Sequence, residues 1–251
     1  MSAPAAPMVR VAAQARFEAA TLLRNGEQLL VALILPAMAL VGLTSATAIN
    51  VGATDSGLSR IDVVAPGVLA LAVISTAFTG QAISTGFDRR AGVLRLLGTT
   101  PLGRGGLLIG RIAAVLVVEA VQFVILGGLA LALGWRPVWS GLPLATVWWL
   151  AGSAALVALA FLVAGMLRAE AVLALANLLW VVMLGLGVVI PVATLPDAVE
   201  PVARLCPGGA LGELLRSAFT GSATPWFEAA VLAIWAILGG VLAARTFRWS
   251  D

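Results

Sequence analysis

The amino-acid sequence predicts an all-α polytopic membrane protein with six transmembrane helices. The chain has 251 residues, of which 61% are hydrophobic and only 11% are charged. Soluble domains carry about 25% charged residues, so this composition excludes an ordinary soluble enzyme or binding module. Apolar runs close to the roughly 20 residues that cross the hydrocarbon layer recur along the chain. Short charged segments separate these runs and give the expected connections.

The elements can be placed in chain order. Residues 1–27 are Ala-rich and lightly charged, which predicts a cytoplasmic interfacial helix, with a partly frayed tail as the alternative. The first apolar run is longer than the roughly 7–15 residues of a signal-peptide core and contains Pro36, so it is not a convincing signal peptide. We predict membrane spans at 28–49, 64–86, 107–133, 143–167, 171–195 and 226–244.

The arginines predict the orientation. All fifteen basic residues are Arg, and six spans put both termini on one side of the membrane. Only four arginines fall on the opposite side, namely Arg60, Arg136, Arg204 and Arg216. The positive-inside rule therefore predicts cytoplasmic termini in a plasma membrane, with Trp149 and four other tryptophans near the outer boundary. Because the arginines lie at membrane boundaries, the basic character does not indicate nucleic-acid binding.

The loop at residues 87–104 is the most unusual cytoplasmic segment. Its arginines are too dense for hydrocarbon, so we expect it in water. Val93, Leu96 and Leu97 repeat at helical spacing, and Pro101 ends the pattern. Such a surface helix either lies on the bilayer or docks a soluble subunit.

The outer segment at residues 196–225 is broken by prolines. Pro196 and Pro207 divide it, and an apolar stripe then runs opposite Glu213 and Arg216. We expect two short amphipathic helices that dip into the outer leaflet or cap the spans, with a solvated loop as the alternative.

Three polar residues fall inside predicted spans. Glu119 lies near the middle of the third span, and Gln122 follows on the same helical face. An ionised carboxylate at that depth costs at least a few kcal/mol unless it faces a cavity or a partner. We expect Glu119 and Gln122 to line a substrate path or a dimer interface; the alternative is a protonated Glu119 that joins two helices. Asn177 in the fifth span is a weaker candidate of the same kind, because such residues more often hold helices together.

Residue types exclude several kinds of chemistry. The chain has no His and one Cys, so common zinc and Cys-His catalytic sites cannot form within it, and we predict no metal site. It has no Lys, and therefore no Gly-x-x-x-x-Gly-Lys-[Ser/Thr] phosphate loop.

In the order of its parts the chain resembles the membrane subunit of type-2 ATP-binding-cassette (ABC) exporters. The family has an N-terminal interfacial helix, six spans, a coupling helix between spans two and three, and a re-entrant outer segment before span six. Two motifs carry the resemblance, and Val93 departs from the first because Thr is usual there. The first comprises Asp88, Arg89, Arg90, Gly92, Leu94, Leu97, Thr100, Pro101, Gly110 and Arg111, and the second Leu195, Pro196, Pro207, Glu213, Leu214, Arg216 and Gly221.

The resemblance implies a permease that performs no chemistry itself. It would pair with a second permease copy or a related permease and with ABC ATPase subunits, which bind the ATP and Mg²⁺, and this chain would bind no cofactor. It would export a hydrophobic or amphipathic small molecule such as a drug or antibiotic. A haem- or lipid-exporting permease and a non-ABC carrier or membrane enzyme are the alternatives. Coupling would fall to Asp88, Arg89, Arg90, Gly92, Val93, Leu94, Arg95, Leu97, Thr100 and Pro101, with Val93, Leu94 and Leu97 filling a groove of the ATPase.

Overall fold

The computed structural model describes residues 5–24, 26, 30–46 and 57–247, and these residues form helices joined by short turns. A π-helical turn, Leu30–Ile34, precedes the helix Leu35–Ser45, and another, Leu184–Val188, extends the helix Ala169–Met183. Two 3-10 turns, Trp139–Gly141 and Val192–Thr194, lie between longer elements. The helices are α1 (Pro7–Arg24), α2 (Leu35–Ser45), α3 (Arg60–Arg90), α4 (Val93–Gly98), α5 (Gly103–Ala132), α6 (Leu142–Met166), α7 (Ala169–Met183), α8 (Glu200–Leu205), α9 (Pro207–Thr220) and α10 (Trp226–Thr246).

Five helices in the described part of the chain are long and apolar enough to cross a membrane, namely α3, α5, α6, α7 and α10. The chain is therefore an all-α polytopic membrane protein. In the first predicted span, the apolar helical stretch that the structure describes, Ala32–Ser45, is shorter than these five helices. Residues 27–29 and 47–56, which flank it, lie outside the described residues, so the count of six spans stays a prediction.

Helix α3 is the central helix of the bundle. Of its most apolar stretch 94% is buried, compared with 28% for α7 and α10. It begins with a capping box in which Ser59 accepts from the Asp62 backbone amide and Asp62 accepts from the Ser59 amide, so two free N–H groups are satisfied. A π-helical turn, Ile74–Gly80, widens it near the middle. Such turns occur often at functional sites.

Helix α1 packs along α5 at the end of the bundle that carries α4. Gly110 permits this close approach, since a Cβ atom there would lie 2.8 Å from Cγ of Gln14. The helix of the predicted interfacial segment, α1, therefore packs against the helix bundle itself.

The predicted outer segment contains α8 and α9, at the opposite end of the bundle. Pro207 occupies the first turn of α9, where a missing N–H costs nothing. Helix α9 is buried along nearly its whole length and packs against α3, α6 and α10. It is therefore part of the core at this end, rather than a helix with one solvent-exposed face.

Candidate functional site

The connecting segment, residues 87–104, leads from the end of α3 through α4 to the start of α5. Gly92 has a left-handed φ of 73°, which lets the chain turn sharply between α3 and α4. Thr100 closes the other end of α4, because its hydroxyl donates to the Leu97 carbonyl at 2.6 Å. Of the predicted coupling residues, Val93, Leu94, Arg95 and Leu97 thus lie in a short helix with a defined start and end, whereas Asp88, Arg89 and Arg90 lie in the last turn of α3.

Arg111 of α5 holds the connecting segment to two helices. Its guanidinium pairs with Asp88 at the end of α3 and donates to the Thr85 hydroxyl at 3.0 Å. Its Nε lies 3.3 Å from a Glu18 carboxylate oxygen on α1, as an ion pair without hydrogen-bond geometry. The Arg111 side chain is only 3% exposed. A buried cation thus ties α1, α3 and α5 together beside α4.

Other arginines brace the same region. Arg89 is buried and donates to the Leu167 carbonyl at the end of α6. Arg90 is exposed and pairs with Glu170 in the first turn of α7. Arg10 of α1 donates to the Pro101 carbonyl. Of the three arginines predicted for coupling, Arg89 therefore faces the protein, Arg90 bridges to α7, and Arg95 is exposed.

The face that α4 presents to the surroundings differs from the predicted one. Leu94 is 2% exposed and belongs to the interior, so it cannot fill a groove of another protein. Val93 and Leu97 are half-buried. Leu96, which was not among the predicted coupling residues, is 68% exposed beside Arg95. One helical turn has two sides, and the sequence pattern alone did not tell which side packs inward.

Glu119 and Gln122 lie inside the bundle in a polar cluster, defined here as Thr76, Glu119, Gln122, Trp149 and Ser153. Oε2 of Glu119 accepts hydrogen bonds from Trp149 Nε1 and from Ser153 Oγ, both at 2.6 Å. Its Oε1 is buried and has no hydrogen-bond partner among the described residues. The carboxyl group therefore joins α5 to α6, as in the structural alternative for Glu119.

Gln122 connects the same cluster to two further elements. Its Oε1 accepts from the Thr76 hydroxyl at 3.0 Å, and its Nε2 donates to the Ala32 carbonyl at 2.6 Å. Thr76 and Ala32 both lie in π-helical turns. Since Glu119 is fully buried and Gln122 is 3% exposed, neither lines an open surface in this conformation.

Asn177 is separate from the polar cluster. It lies on the exposed face of α7 together with Leu173, Leu178 and Val181. Its side chain hydrogen-bonds to none of the residues that the structure describes. An amide in this position leaves polar atoms facing lipid or another protein.

The predicted residues of the outer segment are brought together only in part. Arg216 of α9 is buried and pairs with Glu213 at 2.7 Å. It also donates to the Val63 carbonyl of α3 at 3.2 Å and reaches carbonyls that follow α7. Pro207 is buried at the start of α9, whereas Pro196 is exposed in a turn. Glu213 and Arg216 thus hold the outer segment against α3.

Sequence reasoning missed the partners of these residues. Trp149 was predicted as an anchor at the membrane boundary, but its indole binds Glu119 inside the bundle. Glu18 is one of the few charges in residues 1–27, and nothing near it in the sequence indicates that Arg111 is its partner. Thr76 and Ser153 carry no signal in a single sequence, because small hydroxyl residues are common in membrane helices.

Comparison with known proteins relates the chain to a transporter family. The family model described as ABC-2 family transporter protein matches residues 47–245, which is most of the chain. None of the curated proteins matches the sequence.

Proposed function

Because the chain belongs to the ABC-2 family of transporter proteins, we propose that it is the membrane permease subunit of an ABC exporter. Members of this family are membrane components that normally work with ABC ATPase subunits. ATP binding and hydrolysis with Mg²⁺ take place on a separate ATPase subunit, and α4 with Arg95 and Leu96 receives the motion. The permease carries a hydrophobic or amphipathic small molecule outward across a bacterial plasma membrane, with drug or antibiotic efflux as the preferred class.

The braced connecting segment is the observation that carries this proposal. Its residues make internal contacts with α1, α5, α6 and α7, yet Leu96 is left 68% exposed beside Arg95. An exposed apolar anchor beside a cation on a rigid support is the arrangement expected of a docking site. A helix that only rested on the bilayer would not need so many contacts to the ends of neighbouring helices.

A second permease copy covers the exposed face of α7 in this proposal. An unpaired amide facing lipid is costly, whereas two Asn177 side chains related by a twofold axis can each donate and accept a hydrogen bond. The exposed position of Asn177 among apolar residues supports this arrangement.

An apolar cargo is supported by a groove between α2 and α5. It has a volume of about 540 Å³ and is lined by Leu33, Ala37, Met38, Val41 and Ile125 among others. Its walls are almost entirely hydrocarbon and glycine, so it would accept an acyl chain or an apolar ring system.

Affinity purification of tagged permease from membranes of its own host tests the proposal. We expect the wild type to recover a soluble protein that mass spectrometry identifies as an ATPase by its phosphate-loop sequence. Leu96→Asp should reduce recovery at least tenfold, because losing one buried Leu removes about 1.5–3 kcal/mol of contact and the new carboxylate must be desolvated. Substitution at Leu94 is not used, since it would disturb the interior.

Leu205→Asp is the matched control. Leu205 is 57% exposed, and it lies in α8 at the opposite end of the bundle. This variant should recover as much ATPase as the wild type. Absence of an ATPase under every mild condition, or equal loss in both variants, would contradict docking at α4.

A further inference from the structure

A pocket of about 350 Å³ lies at the end of the bundle opposite α4. Four elements enclose it: the turn Val192–Thr194, α8, α9 and the start of α10. None of its residues belongs to the connecting segment or to the polar cluster. We call it the Glu228 pocket, and its lining includes Arg204, Glu213, Pro225, Trp226, Phe227 and Glu228.

Glu228 is the unusual residue of this pocket. It is 5% exposed, yet the described part of the chain gives it no hydrogen bond, and its one close cation is Arg204 at 3.7 Å. It lies in the first turn of α10, where the helix dipole stabilises a negative charge. This position explains how the carboxylate tolerates burial, but it leaves most of the hydrogen-bonding capacity of the group unused.

The charges around Glu228 leave an excess of one carboxylate. Arg204 lies 3.3 Å from Glu200 as well as near Glu228, so one guanidinium serves two carboxylates. Glu213 is occupied by Arg216 and by the Val192 amide, both at 2.7 Å. A ligand with a single positive charge would balance the pocket.

The aromatic residues indicate what such a cation is attached to. Trp226 is 73% exposed and Phe227 is 53% exposed at the beginning of a helix that crosses the membrane. Aromatic rings at this level lie at the boundary between head groups and hydrocarbon, and their faces attract ammonium groups. A charged head at Glu228 would therefore have its apolar part beside these rings.

We propose that the Glu228 pocket binds an ammonium group carried on an apolar chain. The group can come from the head of an amino phospholipid in the adjacent leaflet or from a free cationic amphiphile. Glu228 binds the ammonium group, Trp226 and Phe227 contact the first carbons of the chain, and Arg204 stays with Glu200. The assignment does not depend on the proposed ATPase partnership, because binding is a property of the permease alone.

Calorimetric titration tests the proposal with dodecylamine as the probe. The full-length permease is placed in nanodiscs of an uncharged galactolipid, and the heat of empty nanodiscs is subtracted. We expect one saturable site for dodecylamine and none for dodecanol, which has the same chain without the charge. Glu228→Gln should weaken binding at least about tenfold, since the variant keeps the shape of the side chain and removes its charge.

Asp197→Asn is the matched control, because it removes one carboxylate charge from the same end of the bundle at an exposed position that does not line the pocket. Its affinity should stay within about twofold of the wild type, a difference of less than 0.5 kcal/mol. If Glu228→Gln elutes abnormally on size exclusion, Trp226→Ala replaces it, since this exposed residue can be truncated without disturbing the core. Equal binding of dodecanol, equal loss in Asp197→Asn, or no saturable binding above empty nanodiscs would overturn the proposal.

A second titration identifies the source of the ammonium group. Nanodiscs are prepared with either phosphatidylethanolamine or phosphatidylglycerol added to the galactolipid. If dodecylamine binds more weakly in nanodiscs with phosphatidylethanolamine but not in those with phosphatidylglycerol, the lipid head group is the occupant. Unchanged binding identifies a free cationic amphiphile, and in both cases the dependence on Glu228 must persist.

Discussion

Arg111→Gln should release α1 and the end of α3 from α5. The glutamine can still donate to the Thr85 hydroxyl, but it removes the positive charge that pairs with Asp88 and Glu18. The variant thus leaves two carboxylates without their cation. Its effect measures how far the connecting segment depends on this one side chain.

The exposure of the partners sets the magnitude. Removing one member of a fully buried ion pair costs about 3–5 kcal/mol. Asp88 and Glu18 retain 34% and 18% of their exposure, so water recovers part of this loss. We expect a destabilisation of about 2–3 kcal/mol, which corresponds to a fall of about 4–12 °C in the melting temperature.

The assay is the fraction of monodisperse permease that size exclusion recovers after heating in detergent. Arg90→Gln is the matched control, because Arg90 and Glu170 form an ion pair that is 56% and 65% exposed. An exposed pair contributes about 1 kcal/mol or less, so this control should shift the midpoint by less than about 4 °C.

A double variant tests the stated cause. If the unpaired carboxylates are responsible, adding Asp88→Asn to Arg111→Gln should cost less than the two single losses together, with a coupling of about 1 kcal/mol or more. Strictly additive losses, or an equal shift in Arg90→Gln, would refute the role assigned to Arg111.

Two further predictions concern the interior and the surface of the bundle. Glu119→Gln should change stability by about 1 kcal/mol or less, because its amide oxygen can still accept from Trp149 and Ser153, whereas Glu119→Leu strands two buried donors and should cost about 2–4 kcal/mol. The same heating assay measures both, and equal losses would mean that the charge of Glu119 matters rather than its acceptor oxygen. Asn177→Cys in a Cys206→Ala background should form a disulfide-linked dimer on mild oxidation, whereas Ile237→Cys, at a position 63% exposed on α10, should stay monomeric. A monomer in both cases, or a dimer in both, would contradict a self-interface on α7.

Composition and periodicity were sufficient for the fold class, because an apolar run of about 20 residues has few structural options in a membrane. The family was identified by resemblance, because the charges, Gly and Pro around α4 match the motif of a known family. The hydrogen-bond partners of the candidate site residues could not be predicted from the sequence. The contact of Glu119 with Trp149 depends on the rotation of two helices about their axes, and both helices are apolar on nearly every face.

The sequence did not predict that Leu94 points into the protein, for a related reason. In a helix as short as α4, Val93, Leu94, Leu96 and Leu97 leave no polar face from which to read an orientation. The orientation is set by contacts of other residues, such as Arg89 with Leu167, that join positions far apart in the sequence. Contacts of this kind have no local signature, so a single sequence cannot supply them.

Helix α3 takes part in several of these contacts and connects the two ends of the bundle. At one end Asp88 is fixed to Arg111 beside α4, and at the other the Val63 carbonyl is held by Arg216 of α9. Near the middle Ser75 accepts from Trp180 of α7, and Thr76 donates to Gln122 of α5. A helix fastened at both ends transmits a displacement along its axis, and its π-helical turn supplies a point where it can bend. If α4 receives the motion of an ATPase as proposed, that motion would reach α9, which lines one side of the Glu228 pocket, through a single buried helix.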